Sequence, residues 1–409
     1  MRFIRDLTLA ALASLAVILA LEAGLRLARD RYEASFYQPD RQRGYALRPN
    51  AEGWEVMENE VYIRVNSGGL RDRERPAPRP KQTLRVAALG SSEAAAFEVP
   101  LEETFEAEIE RNLAPIIARR GSRVEVLNFG VPGYSLSQQY LTLKNDVWKY
   151  APQIVVLVWN QYNLLRNTKE TNPDGPQAPF YVLRDGRLEP ADPAFGMQSS
   201  RPFSQRNIAI RGRLADWMNS SYLLSMLRKA NVELQNQIKA LGASLRRHSG
   251  PSPAASSRRP PDYLQWWPYL PELPEMQENW KIGEAFLREM KQDCDRHGAE
   301  LELVIVDEDM QSHPDAAVRK AFMRLKGLAS LDASDQRLER VSEANGIPVL
   351  ALAPALGEYA LTHGIALHGI GANNEGHWNK LGNQLAGQMI AGQLRAHSPT
   401  VQAWTTGGR

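Results

Sequence analysis

Cysteine is nearly absent: 409 residues contain one, Cys294, in a charged stretch with helical spacing. A single thiol excludes an intrachain disulfide framework, a cysteine-rich zinc site and a lipidated-cysteine anchor. It reads as an incidental side chain. An excess of one charge is missing too, with 49 Lys and Arg against 47 Asp and Glu and a formal net charge of +2. No block of Lys or Arg is interleaved with aromatics, so composition makes no case for a nucleic-acid partner. No internal repeat is present, and no second histidine stands four residues from His377, which weakens a helical metal-site reading although His363 and His368 are near in sequence. What is present is a hydrophobic content of 43%, enough for a substantial core.

Charge is locally absent from Leu7 to Leu21, "LTLAALASLAVILAL", with Arg2 and Arg5 ahead of it. That is the layout of an export signal or a membrane anchor. The run continues into "EAGLRLARDR" without a small-x-small cleavage site, because Leu21 and Glu22 occupy the positions that need small residues. An uncleaved single-pass anchor over 1–31 is therefore expected, reaching about 20 residues if Glu22 snorkels or pairs with Arg26. The arginines after the span, Arg26, Arg29 and Arg31, outnumber those before it, and by the positive-inside rule this count points to a cytoplasmic body.

Beyond the anchor, 32–80 reads as a juxtamembrane segment with a small strand-turn element and a Pro-rich linker, "RPAPRPK". From 81 to 397 the pattern alternates. Short runs of Val, Ile and Leu in "TLRVAALG", "VEVLNFG", "IVVLVWN", "ELELVIVDE" and "IPVLALAP" are separated by apolar residues at helical spacing. Five strands buried on both faces predict an α/β fold, a flavodoxin-like three-layer sandwich around a five-stranded parallel sheet. A helical insertion interrupts it at about 167–274. Leu223, Leu227, Ala230, Leu234, Gln237 and Leu241 there mark a long amphipathic helix that packs on the body or, over fewer than three heptads, on a second copy. After a disordered-type loop, "HSGPSPAASSRRPP", Trp266 and Trp267 either cover core or line a carbohydrate platform. The residues 398–409 form a C-terminal tail, whose last five, "TTGGR", look frayed.

Ligands of an open parallel sheet bind beyond the carboxyl ends of its strands. Strand one ends in Gly90, Ser91 and Ser92, where a serine hydroxyl could project from the sheet or merely cap the turn. Strand two ends at Gly130, and strand three at Asn160 and Asn163, which could donate to an oxyanion or bond the loop backbone. Near the C-terminus, Glu375 and His377 supply a carboxylate and a base two residues apart. A nucleophile, a base, an orienting group and oxyanion donors are what acyl transfer requires.

These residues lie in the order of the blocks of the SGNH (GDSL-like) hydrolase superfamily. "VAALGSSEAAAFEVPLEETFEAEI" resembles the nucleophile block with Ser92 as the serine, "LNFGVPGYSLSQQ" the second block with Gly130 as oxyanion donor, and "PQIVVLVWNQYN" the third. "EGHWNKLGNQLAG" is similar to the last block in its D-x-H-W-N form. "LEAGLRL" and "VNSGGLRDRE" (Asn66 to Glu74) resemble the juxtamembrane signatures of bacterial members with an N-terminal anchor. The resemblance implies a serine esterase with Ser92, His377 and Glu375 as catalytic residues, and Ser92, Gly130 and Asn163 at the oxyanion. It implies no metal or organic cofactor, a body outside the cytoplasmic membrane, and acylated, typically acetylated, cell-envelope or exported glycans as substrates. Three positions depart from the pattern: Ser91 replaces the usual Asp, Tyr162 falls where the oxyanion Asn belongs so that Asn163 or Asn160 takes that role, and Glu375 or Asn374 stands for the usual Asp. Two other functions share these residues. An O-acyltransferase would resolve the acyl-enzyme with a glycan hydroxyl, and a degraded member would bind glycans or assist assembly without catalysis.

Overall fold

The runs of Val, Ile and Leu form five strands, β1 (Thr83–Leu89), β2 (Arg123–Asn128), β3 (Ile154–Trp159), β4 (Glu300–Ile305) and β5 (Val349–Ala351), all parallel and in the spatial order β5-β4-β3-β1-β2. The computed structural model describes residues 2–28, 36–55, 58–118, 121–168, 178–192, 221, 223–224, 227, 267–369 and 376–406. They divide into two units. The first comprises residues 1–35, 53–56 and 200–258, and the second comprises 36–52, 57–199 and 259–409.

In the second unit, side chains alternate across the pleat and build one core on each face of the sheet. Leu84, Val86 and Ala88 of β1 meet Phe105, Ile109 and Leu113 of α3 (Phe105–Ile117) and Ile390 and Leu394 of α10 (Lys380–His397). Ala87 and Leu89 face the other way, toward Leu136 and Leu143 of α4 (Leu136–Asn145), Trp280 and Phe286 of α6 (Gln277–Arg296) and Leu338 of α8 (Ala333–Ala344). The three layers and five parallel strands expected from the sequence are present. Two helices were not anticipated, α7 (Ala316–Lys326) and α9 (Ala353–His363). The first has no fully buried residue, and Phe322 and Met323 of its apolar face pack only partly on Tyr269, Leu328 and Leu331.

Two expectations require correction. The strand-turn element in 32–80 is present as Val61–Arg64 and the turn at Asn66, but the Pro-rich end is tied to the body, Arg75 Nη2 donating to Glu110 Oε1 at 2.6 Å and Arg79 Nε to Ala151 O at 3.1 Å. A hairpin of Tyr37–Asp40 and Gly44–Leu47 packs on the body, where Gln138 Nε2 donates to Arg43 O at 2.7 Å and Tyr134 Oη to Tyr45 O at 2.7 Å. Phe36, Leu47, Ile63 and Val65 are buried. Asn66 Oδ1 accepts from the amides of Gly68 and Leu70, each at 2.9 Å, and this turn delivers Arg71 into the interior, where it donates to Ala95 O at 2.7 Å and to the carbonyls of Ala96 and Val99. Nor does fraying begin at Thr405, because α11 (Pro399–Thr406) continues to Thr406; it buries Val401 completely, and Ser398 Oγ donates to Glu300. Of the insertion, a hairpin of Tyr181–Arg184 and Arg187–Pro190 sets Tyr181 against Tyr140 and Phe286. Trp266, the Trp267 side chain and the insertion helix beyond Leu227 lie outside the described residues.

In the first unit, α1 (Arg2–Ala28) contains Thr8–Leu25, an 18-residue window of mean hydropathy 2.0 with none of it buried. Among the described residues it is the one helix long and apolar enough to cross a membrane, by length and composition. Glu22, the acidic residue within that window, accepts from Ser221 Oγ at 2.8 Å and from the Leu223 amide at 3.0 Å.

Candidate active site

Three of the five strands, β1, β3 and β4, end at one cavity of about 260 Å³. Its wall includes Ser91, Ser92, Glu93, Asn160, Tyr162, Asp307, Glu308, Asp309, His368 and His377. Gly90 lets the chain turn sharply out of β1, since a Cβ there would lie 2.7 Å from that of Ala94. Ser92 then opens α2 (Ser92–Ala95).

The hydroxyl of Ser92 and the ring of His377 reach the same cavity, and a carboxylate stands between them. Glu93 Oε2 accepts from Ser91 Oγ at 3.2 Å and from Ser92 Oγ at 3.3 Å, and Glu93 Oε1 accepts from Asn160 Nδ2 at 2.8 Å. His377 Nε2 lies 3.9 Å from the same Oε1. Asn160 is held by its own loop, its Oδ1 accepting from the Tyr162 amide at 2.8 Å.

The far side of His377 carries two more carboxylates. Nδ1 donates to Glu58 Oε1 at 2.6 Å and lies 3.3 Å from Glu98 Oε1, while the His377 amide donates to Glu58 Oε2 at 2.9 Å. Glu58 thus grips both the ring and the backbone of His377. Gly376 makes this approach possible, because its φ is +94° and a Cβ would sit 2.5 Å from Glu58 Oε2. Burial disfavours a charged ring at His377, but the hydrogen bond to Glu58 and the charges of Glu93, Glu98 and Glu58 overcome it and raise its pKa to about 10. Burial pushes Glu98 up to about 7 against the pull of the imidazolium. Burial likewise opposes the charge of Glu58, yet its bonds to His377 hold it below the usual carboxylate range.

A second ion pair supports the loop that carries His377. His368 Nε2 lies 2.8 Å from Asp307 Oδ2 and Nδ1 lies 2.9 Å from Gly376 O, so both ring nitrogens face acceptors and both carry protons. Asp307, at the end of β4, also accepts from Trp378 Nε1 at 2.7 Å. Burial works against both charges. The pairing prevails, with His368 raised above and Asp307 held below its ordinary range.

Of the residues expected from the sequence, Ser92 and His377 share the cavity, and Asn160 lines it. Asn163 does not. Its side chain is fully buried and does not line the cavity, and neither polar atom has a hydrogen-bond partner among the described residues. Of the two asparagines, the turn after Trp159 brings Asn160 to the cavity. The Gly130 amide donates to Asn128 Oδ1 at 2.8 Å, and a Cβ there would fall 2.2 Å from the Ala95 amide nitrogen; the glycine is required by packing against α2 and does not line the cavity. Glu375 and Asn374 lie outside the described residues. The carboxylate on the histidine is Glu58, 319 positions upstream, which sequence reading missed. No local spacing could have indicated it.

Glu58, Glu98 and His377 place ligand-type atoms within 4.8 Å of one another, a set of two carboxylates and one imidazole that could hold a divalent ion. Here Nδ1 spends its proton on Glu58, and a metal would have to displace that proton.

No family model matches the sequence, and no curated protein does. Among solved structures, the chain is similar to an acetyl xylan esterase from Geobacillus stearothermophilus, with a TM-score of 0.38 and 10% identity over 78% of this chain and 96% of that one. It is also similar to the acetyl xylan esterase AlAXEase, with a TM-score of 0.37 and 12% identity over 76% and 98% of the two chains. A third is a putative lipolytic protein of the G-D-S-L family from Desulfitobacterium hafniense DCB-2, with a TM-score of 0.34 and 11% identity over 76% and 99%. The fold assignment stands on the strand order and registers given above.

Proposed function

We propose that the chain is a membrane-anchored serine esterase that removes acyl groups, acetyl in the first instance, from cell-envelope or exported glycans on the outer side of the cytoplasmic membrane. The observation that carries this reading is the meeting of Ser92, Asn160 and His377 at one strand-end cavity, with Glu58 2.6 Å from His377 Nδ1. Ser92 Oγ attacks the ester carbonyl, and its proton passes to His377 Nε2. Glu58 fixes the tautomer, in the role first expected of Glu375, and stabilises the imidazolium. The Asn160 amide and the Ser92 backbone N–H receive the oxyanion once Glu93 releases Asn160. The imidazolium then protonates the departing sugar alkoxide, and water, activated by the returned base, frees the acid. No step calls for a metal or an organic cofactor.

The test uses the full chain in detergent. Fluorophosphonate labelling and p-nitrophenyl acetate turnover are compared for the native protein, Ser92→Ala and His377→Ala, each checked for folding by circular dichroism. Both signals are expected in the native protein and in neither variant. A folded chain that neither labels nor turns over, or a Ser92→Ala protein that still labels, would overturn the reading. Free acid released at the same rate with and without a glycan acceptor separates hydrolysis from acyl transfer.

A further inference from the structure

The cavity that holds Ser92 also contains a carboxyl group that the mechanism leaves unused. Glu308 follows Asp307 at the end of β4, is 7% exposed and lines the cavity. Its backbone is fixed, the amide donating to Gln311 Oε1 at 2.7 Å and the carbonyl accepting from the Gln311 amide at 2.8 Å. Its side chain is not. Oε1 is sealed from solvent without a hydrogen-bond partner among the described residues. An ionised carboxylate with one oxygen in that position would lose its hydration and receive no donor in return, which costs several kcal/mol by an order-of-magnitude estimate.

The surroundings add to that penalty. Burial, and then the charges of Asp309, Glu93, Asp335 and Asp307, push the Glu308 carboxyl well above its ordinary range. Arg166 and the protonated rings of His368 and His377 line the same cavity, yet burial and these carboxylates are the largest influences on it. A neutral carboxylic acid has one O–H to donate, and the cavity is where that donor can find an acceptor.

We propose that Glu308 is a substrate-binding residue whose carboxyl group donates a hydrogen bond to an oxygen of the acyl sugar bound in the cavity that holds Ser92. The inference rests on the esterase reading for the identity of the ligand, an uncharged ester or hydroxyl oxygen. It assigns Glu308 a specificity role, in which a donor is required and a negative charge is not. A site built this way favours neutral acylated sugars over esters bearing an ammonium group.

Two measurements test it separately from the esterase reading. The first is the binding of methyl 6-O-acetyl-glucoside to the full-length Ser92→Ala protein by calorimetry, alone and combined with Glu308→Gln or Glu308→Ala. The second is the KM and kcat of the Glu308 single variants on the same ester. Loss of one neutral hydrogen bond is expected to weaken binding and raise KM roughly fivefold to tenfold in Glu308→Ala, with kcat little changed. Glu308→Gln, which keeps a donor and cannot ionise, is expected to stay within about twofold of the parent. Equal binding by all three proteins would overturn the proposal while turnover continued to support the esterase. Binding that depends on Glu308 in a chain without turnover would sustain the proposal and sink the esterase. If Gln fails where Glu succeeds, and glycine p-nitrophenyl ester outcompetes the acetate, the group is an ionised partner for a cation and the donor assignment is wrong.

Discussion

Replacing Glu98 with Gln probes how the carboxylate cluster sets the basicity of His377. The ring is raised to about 10, so it is protonated below that value and becomes a base only as the pH rises toward it. At neutral pH about one ring in a thousand is free to accept the Ser92 proton. The rate constant kcat/KM should therefore climb close to tenfold per pH unit from neutrality to about pH 10. Glu98 Oε1 lies 3.3 Å from Nδ1, and because burial puts its own pKa at about 7, it is half ionised where the limb begins and almost fully ionised from about pH 8 upward. An opposite charge at such a distance moves a pKa by about one to three units. The lower figure applies here, since Glu58 keeps its shorter bond to the same nitrogen. Glu98→Gln should move the limb down by about one unit and raise kcat/KM roughly tenfold at about pH 8, with the plateau unchanged. The assay is p-nitrophenyl acetate hydrolysis across that range, with the Ser92→Ala rate subtracted at each pH. A limb that stays in place, or moves up, would refute the assignment of His377 as a base restrained by its neighbours.

Two further outcomes follow from the same geometry. Glu93→Ala removes the acceptor that occupies the Asn160 amide, and one oxyanion donor is worth roughly 10²–10³ in rate, so fluorophosphonate labelling of Ser92 should accelerate about tenfold. Abolished labelling in a folded Glu93→Ala protein would instead make Glu93 the proton acceptor of Ser92. Arg71→Met strands three carbonyls beneath the loop that follows α2 and should cost about 3 kcal/mol or more in urea unfolding. A loss under about 1 kcal/mol would mean that this guanidinium does not hold the loop.

The sequence by itself determined the layers of this protein. Short runs of Val, Ile and Leu, too brief for helices and bounded by glycine or polar turns, fit strands buried on both faces, and the helical spacing between them supplies the covers. Ser92, His377 and the alternative Asn160 were legible for the same reason, because each immediately follows or precedes a regular element and its position is set locally. The uncharged run Leu7 to Leu21 was legible from composition alone, and it lies within α1. Three features were not. Glu58 meets His377 across 319 residues, through a segment whose Pro-rich composition resembles a linker but which packs on the body. Asn160 and Asn163 are three residues apart in a turn, and only the path of that turn places one in the cavity and seals the other. Glu308 and the His368–Asp307 pair lie on a strand end and a late loop with no common motif. Charge and protonation at the site depend on which carboxylates converge in space, and convergence over long sequence separations is set by the packed tertiary structure and leaves no spacing to read.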